Sequence, residues 1–458
     1  MKSLLKTAVM TASLSFSFHS FAQYTKLHEF DYTTGSHPSA SLIGDSVYMY
    51  GVTRDRSNIF RIKYDGTDFE NLYFVSGPEG NTTCGSLYSD GVYLYGTAQY
   101  GGPGNGGSIF KIMKDGSNFS VVYGLGSTMN DGEQPTGSLI SDGIYLYGMT
   151  AGYPAISYGT IFKVKKDGSD FSVLHTFASI PSDGKAPQGS LISDGTYLYG
   201  MTHYGGTNDN GVIFRIKPDG SDYTLIKILT TATGAQPWGD LMYDGTWLYG
   251  MTGNYGPGGY GTVFKLKPDG ADYTVLRSFN SGNGPNGSEA HGSLILEGST
   301  LYGMTRHGGH NYADGNVFSL QTDGSGYQDM YNFSDSAGRN PLGSLLLKDS
   351  NLYGMTYLGG AYTYGVIFRL NKNAKITLGL PDLEKHPTIT LSPNPVSDLL
   401  HVSGVPQEVR EYEIVNALGE QIYEGTLGPD QSISVSDLEK GVYFLKVVSH
   451  QVVKFIRN

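Results

Sequence analysis

Trp238 and His291 hold the same place in two consecutive copies of a repeated string, each directly before a Gly-(Asp/Ser)-Leu run. The other copies carry Ser39, Cys84, Thr136, Gln188 and Leu342 there. Those are mostly small or neutral, so the tryptophan and the histidine stand apart. Asp240 replaces the serine that follows the glycine in the other copies. A second set of positions follows the Met-Thr pair, or its counterpart Val52-Thr53 or Thr97-Ala98, of each copy: Arg54, Gln99-Tyr100, Gly152-Tyr153, His203-Tyr204, Asn254-Tyr255, Arg306-His307 and Tyr357-Leu358. In register, copies four to six gather His203, Tyr204, Trp238, Asp240, Tyr255, His291, Arg306 and His307, with Gln188 beside them.

Aromatic rings with Arg, His and Asp suit a sugar. Rings stack on the apolar faces of pyranoses, while charged groups bond hydroxyls or uronate carboxylates. The same residues have a plainer reading: tyrosines are common throughout the chain, and a tryptophan beside a proline can plug a channel. A His or Tyr base with an Arg that neutralises a uronate would suit polysaccharide β-elimination, but no motif assigns a catalytic residue. Glycoside hydrolysis needs two carboxylates at a set separation; Asp240 offers one and no second is assignable. His307-Gly308-Gly309-His310 lacks the further ligands of a metal site. The Asp-Gly-Ser-Asp turns lack the spaced carboxylates and closing glutamate of a calcium loop. No cofactor is expected. His28 and His175 share one strand position and read as structural, as does Cys84.

These positions are set by a string that returns seven times. Its Tyr-Gly pair ends at Gly51, Gly96, Gly148, Gly200, Gly250, Gly303 and Gly354, a period of roughly 50 residues. In the copy over 137–177, the runs 137–140, 144–150, 159–164 and 171–177 are apolar, β-branched and aromatic. They are divided by Ser141-Asp142-Gly143, a glycine-rich loop and Lys166-Asp167-Gly168-Ser169-Asp170. This predicts four antiparallel strands with two tight turns and one longer loop. Every side chain from Ile144 to Tyr147 is large and apolar, so the sheet must lie between neighbours. Seven such sheets in a ring make a seven-bladed β-propeller. The last copy lacks its fourth strand, and residues 24–30 (YTKLHEF) match that missing piece. The N-terminal strand is therefore expected to close the last blade and remove the free edges. All long loops then fall on one face and the tight turns on the other, which directs a local function to the loop face.

Leu-Tyr-Gly-Met-Thr, Gly-Gly, Gly-Thr-Val-Phe-Lys-Leu (261–266) and Pro-Asp-Gly (268–270) resemble the bacterial GloVer tandem repeats, with their G-x-V-F signature. The resemblance spans nearly all of 24–371 and implies an exported propeller, without a transferable activity.

The flanks read differently. Residues 1–22 carry Lys2 and Lys6, an apolar run over 8–18 and a small-x-small site at Ser20-Phe21-Ala22, the pattern of a secretory signal peptide. No other stretch approaches the roughly 20 apolar residues of a membrane span. With net charge −11, nucleic acid is not an expected partner. Cys84 is the single cysteine, so no intrachain disulfide can form. Residues 372–387 read as a linker, and 388–458 as a small β-sandwich. There the P-N-P opening (Pro393, Asn394, Pro395), the N-x-x-G strand ending at Gly419, the segment with Gly441 and Tyr443, and the basic ending at Lys454 are similar to the type A sorting domain of the Bacteroidota type IX secretion system. That resemblance implies passage through the periplasm to the outer surface or beyond, with the secretion machinery as partner. The sequence thus leads to an exported binding module, for glycan in the first place. A polysaccharide lyase and a protein-interaction or adhesion scaffold stand as alternatives.

Overall fold

The computed structural model describes residues 23–128, 131–152, 157–178, 180, 182–280, 287–309, 314–373, 389–403, 411–416, 421–447 and 452–458. The expected signal peptide, the expected linker beyond Asn373, and Tyr153, His310 and Gly419 lie outside them. The chain divides into two compact units, Met1–Ile376 and Thr377–Asn458. Among the described residues the regular structure is β-strand, apart from two short 3-10 turns at Gly77–Glu79 and Asp335–Ala337.

The third copy of the repeat forms an antiparallel sheet of Ile140–Ser141, Tyr145–Thr150, Thr160–Lys165 and Ser172–Thr176. Its first turn is built by one side chain. Asp142 Oδ1 accepts the backbone N–H groups of Ile144 and Tyr145 at 2.9 and 2.8 Å, and Oδ2 accepts the Tyr147 hydroxyl at 2.8 Å. The same carboxylate-to-tyrosine tie recurs at Asp45 and Tyr50, Asp90 and Tyr95, Asp194 and Tyr199, and Asp244 and Tyr249. The glycine of Leu-Tyr-Gly also has a packing reason. It lies opposite the phenylalanine of the next strand, Gly148 facing Phe162. A Cβ there would come within 2.6 Å of that ring, and the other six copies are as tight, at 2.4 to 2.6 Å. All seven of these phenylalanines (Phe60, Phe110, Phe162, Phe214, Phe264, Phe318 and Phe368) are fully buried, each worth about 1.5–3 kcal/mol relative to exposure.

Seven such sheets follow in chain order, each named here by its second strand: Tyr48–Val52, Tyr93–Tyr100, Tyr145–Thr150, Leu198–Thr202, Leu248–Thr252, Thr300–Thr305 and Asn351–Thr356. The core lies between sheets, not within them. Tyr50 and Ile59 of sheet 1 meet Leu94 and Phe110 of sheet 2. Corresponding clusters join each sheet to the next. A last cluster joins Phe30, Tyr353 and Ile367 of sheet 7 to Leu42, Met49 and Phe60 of sheet 1. The strand Gln23–Glu29 pairs antiparallel with Val366–Asn371, Tyr24 opposite Leu370, and Tyr24 stacks on Tyr331 of sheet 6 at 4.3 Å. The architecture is all-β and propeller-like.

Two details differ from the sequence expectation. Ile144 belongs to the turn and is 63% exposed; the strand starts at Tyr145. The innermost strand of sheet 3 is only Ile140–Ser141, because Gly137 and Ser138 are taken up in contacts to the next sheet. His28 and His175 are structural: they stack at 3.7 Å on Phe69 and Tyr223, respectively.

In the second unit, Thr390–Ser392, Leu399–Ser403 and Ser432–Ser434 form one sheet. Glu411–Asn416, Gln421–Thr426, Gly441–Val447 and Val452–Arg457 form another. Leu400, Val402 and Ile433 of the first share an apolar cluster with Ile414, Leu445 and Phe455 of the second. The Pro393-Asn394-Pro395 opening is tied to the basic ending by one amide. Asn394 Nδ2 donates to the Lys454 carbonyl at 3.0 Å, and its Oδ1 accepts the Ile456 N–H at 2.9 Å. Gly441 pairs with Arg457, and the Tyr443 ring stacks on Phe455 at 5.7 Å.

Candidate functional site

The positions aligned by register do meet. Ser39, Cys84, Thr136, Gln188, Trp238, His291 and Leu342 line one central cavity of about 80 Å³ together with the residues that follow them. Its waist is a closed ring of hydrogen bonds. The backbone N–H of Ser41 donates to Ser86 Oγ, Ser86 to Ser138, Ser138 to Ser190, Ser190 to Asp240 Oδ1, Asp240 to Ser293, Ser293 to Ser344, and Ser344 back to Ser41, all at 2.5–2.9 Å. Side chains are excluded one residue earlier. A Cβ on Gly137, Gly189, Gly239, Gly292 or Gly343 would lie 2.1–2.3 Å from the carbonyl oxygen of the next sheet's equivalent residue. Sheet 1 carries Ala40 at that position, which nothing in the structure explains.

Above the waist, on the side of the long loops, four of the candidates form a continuous file. The rings of Trp238 and His291 stack at 4.7 Å with 10° between planes. His203 also packs on Trp238, at 4.1 Å and tilted by 49°, and Tyr204 meets His203 edge-on at 4.3 Å. His203 Nδ1 donates to the Pro237 carbonyl at 3.2 Å, which leaves Nε2 with the lone pair of a neutral ring. Burial holds the His203 imidazole down at about 4. Burial, and then the nearby positive Arg306, hold His291 down at about 3. Both rings are therefore neutral at neutral pH.

Arg306 and His307 meet at Glu289, whose carboxylate lies 3.7 Å from the Arg306 guanidinium and 3.6 Å from His307 Nε2. His307 Nδ1 also accepts from the Asn340 amide at 3.2 Å. Glu289 N–H donates to the carbonyl of Tyr260, next to Tyr255 in an isolated bridge. Tyr204 and Tyr255 present their rings to solvent, 37% and 45% exposed. Tyr255 holds φ at +59°, a costly conformation for a residue with a side chain. Gln188 lies at the cavity wall beside Trp238. Asp240 differs from the rest. It belongs to the serine ring at the waist, lines the spaces on both sides of it, and is not part of the surface cluster. Burial pushes its carboxyl up despite hydrogen bonds from Ser190 and Ser293.

The sequence reading passed over Glu289. It sits two residues before the mouth position, and so do His37, Thr82, Gln134, Ala186, Gln236 and Asn340. All seven have positive φ, +51° to +60°. Each carries an interlock: Gln236, for instance, donates its N–H to Asn210 of sheet 4 and accepts from Gly253 of its own sheet. None is glycine, so no local signal marks the conformation; only register across copies could have found it. His37, likewise missed, pairs with Asp55 at 2.6 Å and lies 4.9 Å from the Tyr357 ring.

Several solved structures share the fold at low identity. The virginiamycin B lyase from Staphylococcus aureus matches with TM-score 0.51 and 17% identity, over 76% of this chain and 98% of its own. A streptogramin B lyase matches with TM-score 0.52 and 16% identity, over 77% and 98%. The extracellular domain of a putative hybrid two-component system from B. thetaiotaomicron matches with TM-score 0.52 and 12% identity, over 95% of this chain and 47% of its own. At such identities the likeness is one of fold alone. Among curated proteins no sequence relative matches. Residues 390–457 match the secretion system C-terminal sorting domain, so the protein is addressed to the type IX machinery and is secreted or held at the outer surface. Among the described residues no helix is long and apolar enough to cross a membrane. The Gloeobacter/Verrucomicrobia repeat matches over 14–155, 128–312 and 256–400, most of the chain, and the protein belongs to that repeat family.

Proposed function

We propose that this is an exported glycan-binding module: a signal peptide over 1–22, a seven-bladed β-propeller over 23–371, a linker over 372–387 and a small sorting β-sandwich over 388–458. The closed waist of seven hydrogen bonds supports seven blades. One observation carries the binding reading: the packed file of His203, Trp238 and His291 ends in the solvent-facing ring of Tyr204 on the loop face. The central cavity of about 80 Å³ is far below the roughly 300 Å³ of a small-molecule pocket. A sugar therefore lies across the mouth, not inside it. Tyr204 and Tyr255 offer rings for pyranose faces. Arg306 and His307, poised on Glu289, offer donors for hydroxyls or a uronate carboxylate, and Gln188 offers an amide.

A glycan array probed with the full chain tests this, followed by Trp238→Ala, His291→Ala and the exposed Tyr204→Ala and Tyr255→Ala, each confirmed to be folded at the assay temperature. Binding that all four weaken, without turnover, supports the module. Release of unsaturated sugars, read as ultraviolet absorbance, overturns it in favour of a polysaccharide lyase. A folded protein silent on the array moves the function to a protein-interaction or adhesion scaffold.

A further inference from the structure

The larger space at the centre of the ring lies on the opposite side of the waist, toward the tight turns. Strand side chains alternate in direction, so the position two residues beyond each ring serine faces the same space. There stand Ile43, Ile192, Met242 and Ile295, which with Tyr243 wall an open bowl of about 490 Å³. Its floor is the serine ring, with Asp240 as the single carboxylate. The six other ring positions are serines, so Asp240 places the single carboxyl group at the base of an aliphatic cup.

That carboxylate is poorly compensated. The groups that set its titration are burial and hydrogen bonds from Ser190 and Ser293, none of them cationic. An unpaired buried charge is costly, and a partner cation offsets the cost. The bowl's volume falls within the roughly 300–1,000 Å³ of small-molecule sites, which pair apolar walls with a few convergent polar groups.

We propose that this bowl binds a small aliphatic ammonium compound, with its charged head on Asp240 and its alkyl chain on Ile43, Ile192, Met242 and Ile295. The serine hydroxyls accept the remaining N–H groups of the head. The site is independent of the glycan reading, since it lies across the waist from the Trp238 file.

Isothermal titration of the full chain with n-hexylammonium, n-hexanol and hexanoate tests it. Hexylammonium binds with saturation at one site, and the alcohol and the acid bind at least about tenfold more weakly. Asp240→Ser, which restores the residue of the other six sheets and so keeps the ring, weakens hexylammonium binding by about tenfold or more. Ile192→Trp narrows the bowl and weakens that binding. Three results each overturn the proposal: no saturable binding by a protein that melts normally, equal binding of hexanol or hexanoate, or undiminished binding by Asp240→Ser.

Discussion

The two mouths of the central cavity are built from the same seven strands and end up unlike. On the loop side the register positions differ from sheet to sheet, and two of the largest, Trp238 and His291, stack across the opening and leave about 80 Å³. On the turn side the chemistry is nearly uniform, with Ile43, Ile192, Met242 and Ile295 alike, and about 490 Å³ stays open. Variation between copies therefore marks where the sheets have diverged, and does not mark where there is room. Room is set by side-chain length against the diameter of the ring, and that diameter is fixed at the waist between the mouths.

The largest break is at the waist itself. Gly292→Val puts side-chain atoms where a Cβ alone would lie 2.1 Å from the Gly343 carbonyl oxygen. It should destabilise the protein by about 3 kcal/mol, read by calorimetry, and an unchanged melting temperature would mean the ring is not closed as described. The mouths themselves separate next. Trp238→Ala removes the partner of both His203 and His291 and should cost about 2–3 kcal/mol, whereas Met242→Ala on the open side should cost only about 1; equal losses would erase the contrast.

A third test uses acid. His203 titrates near 4 in the folded chain against about 6.5 unfolded. Between those values the unfolded state binds the extra proton, so stability is complete above pH 6.5 and drains as pH falls toward 4. The loss should be on the order of 2 kcal/mol between pH 7 and 5, with His291 acting in the same direction. His203→Gln should lessen the fall of melting temperature over that range, with the part due to His291 remaining. The smallest effect belongs to Asp240, where the sign reverses. Its carboxyl is raised by burial, so the folded chain holds the proton longer and stability falls as pH rises past the unfolded value. Asp240→Ser should gain stability at pH 7 and nothing at pH 3. A loss at pH 7 would mean that a cation already compensates the carboxylate.

Much of the fold is legible in the residues. The Asp-Gly turns, the Leu-Tyr-Gly strands and the detached N-terminal strand are local signals, and the structure gives each a contact: Asp142 on Tyr147, Gly148 against Phe162, Tyr24 opposite Leu370. The grouping of His203, Tyr204, Trp238 and His291 was legible too, because equal register in a repeat means equal position in space. Glu289 and His37 were not, since a left-handed conformation carried by polar residues leaves no glycine to mark it. Asp240 was found as an exception to the serines, but its separation from the surface cluster, within the waist ring, could not be read from its place in the string.

By itself the sequence determined the repeat, the strand order, the turn chemistry and the export signal at the tail, because each rests on short strings of residues and on where they recur along the chain. Only the tertiary structure decided the width of the waist, the closed ring of serine hydrogen bonds, the place of Asp240 within that ring and which mouth is open. Those depend on distances between equivalent residues of different copies, far apart in the chain, and such distances exist only once the last sheet meets the first.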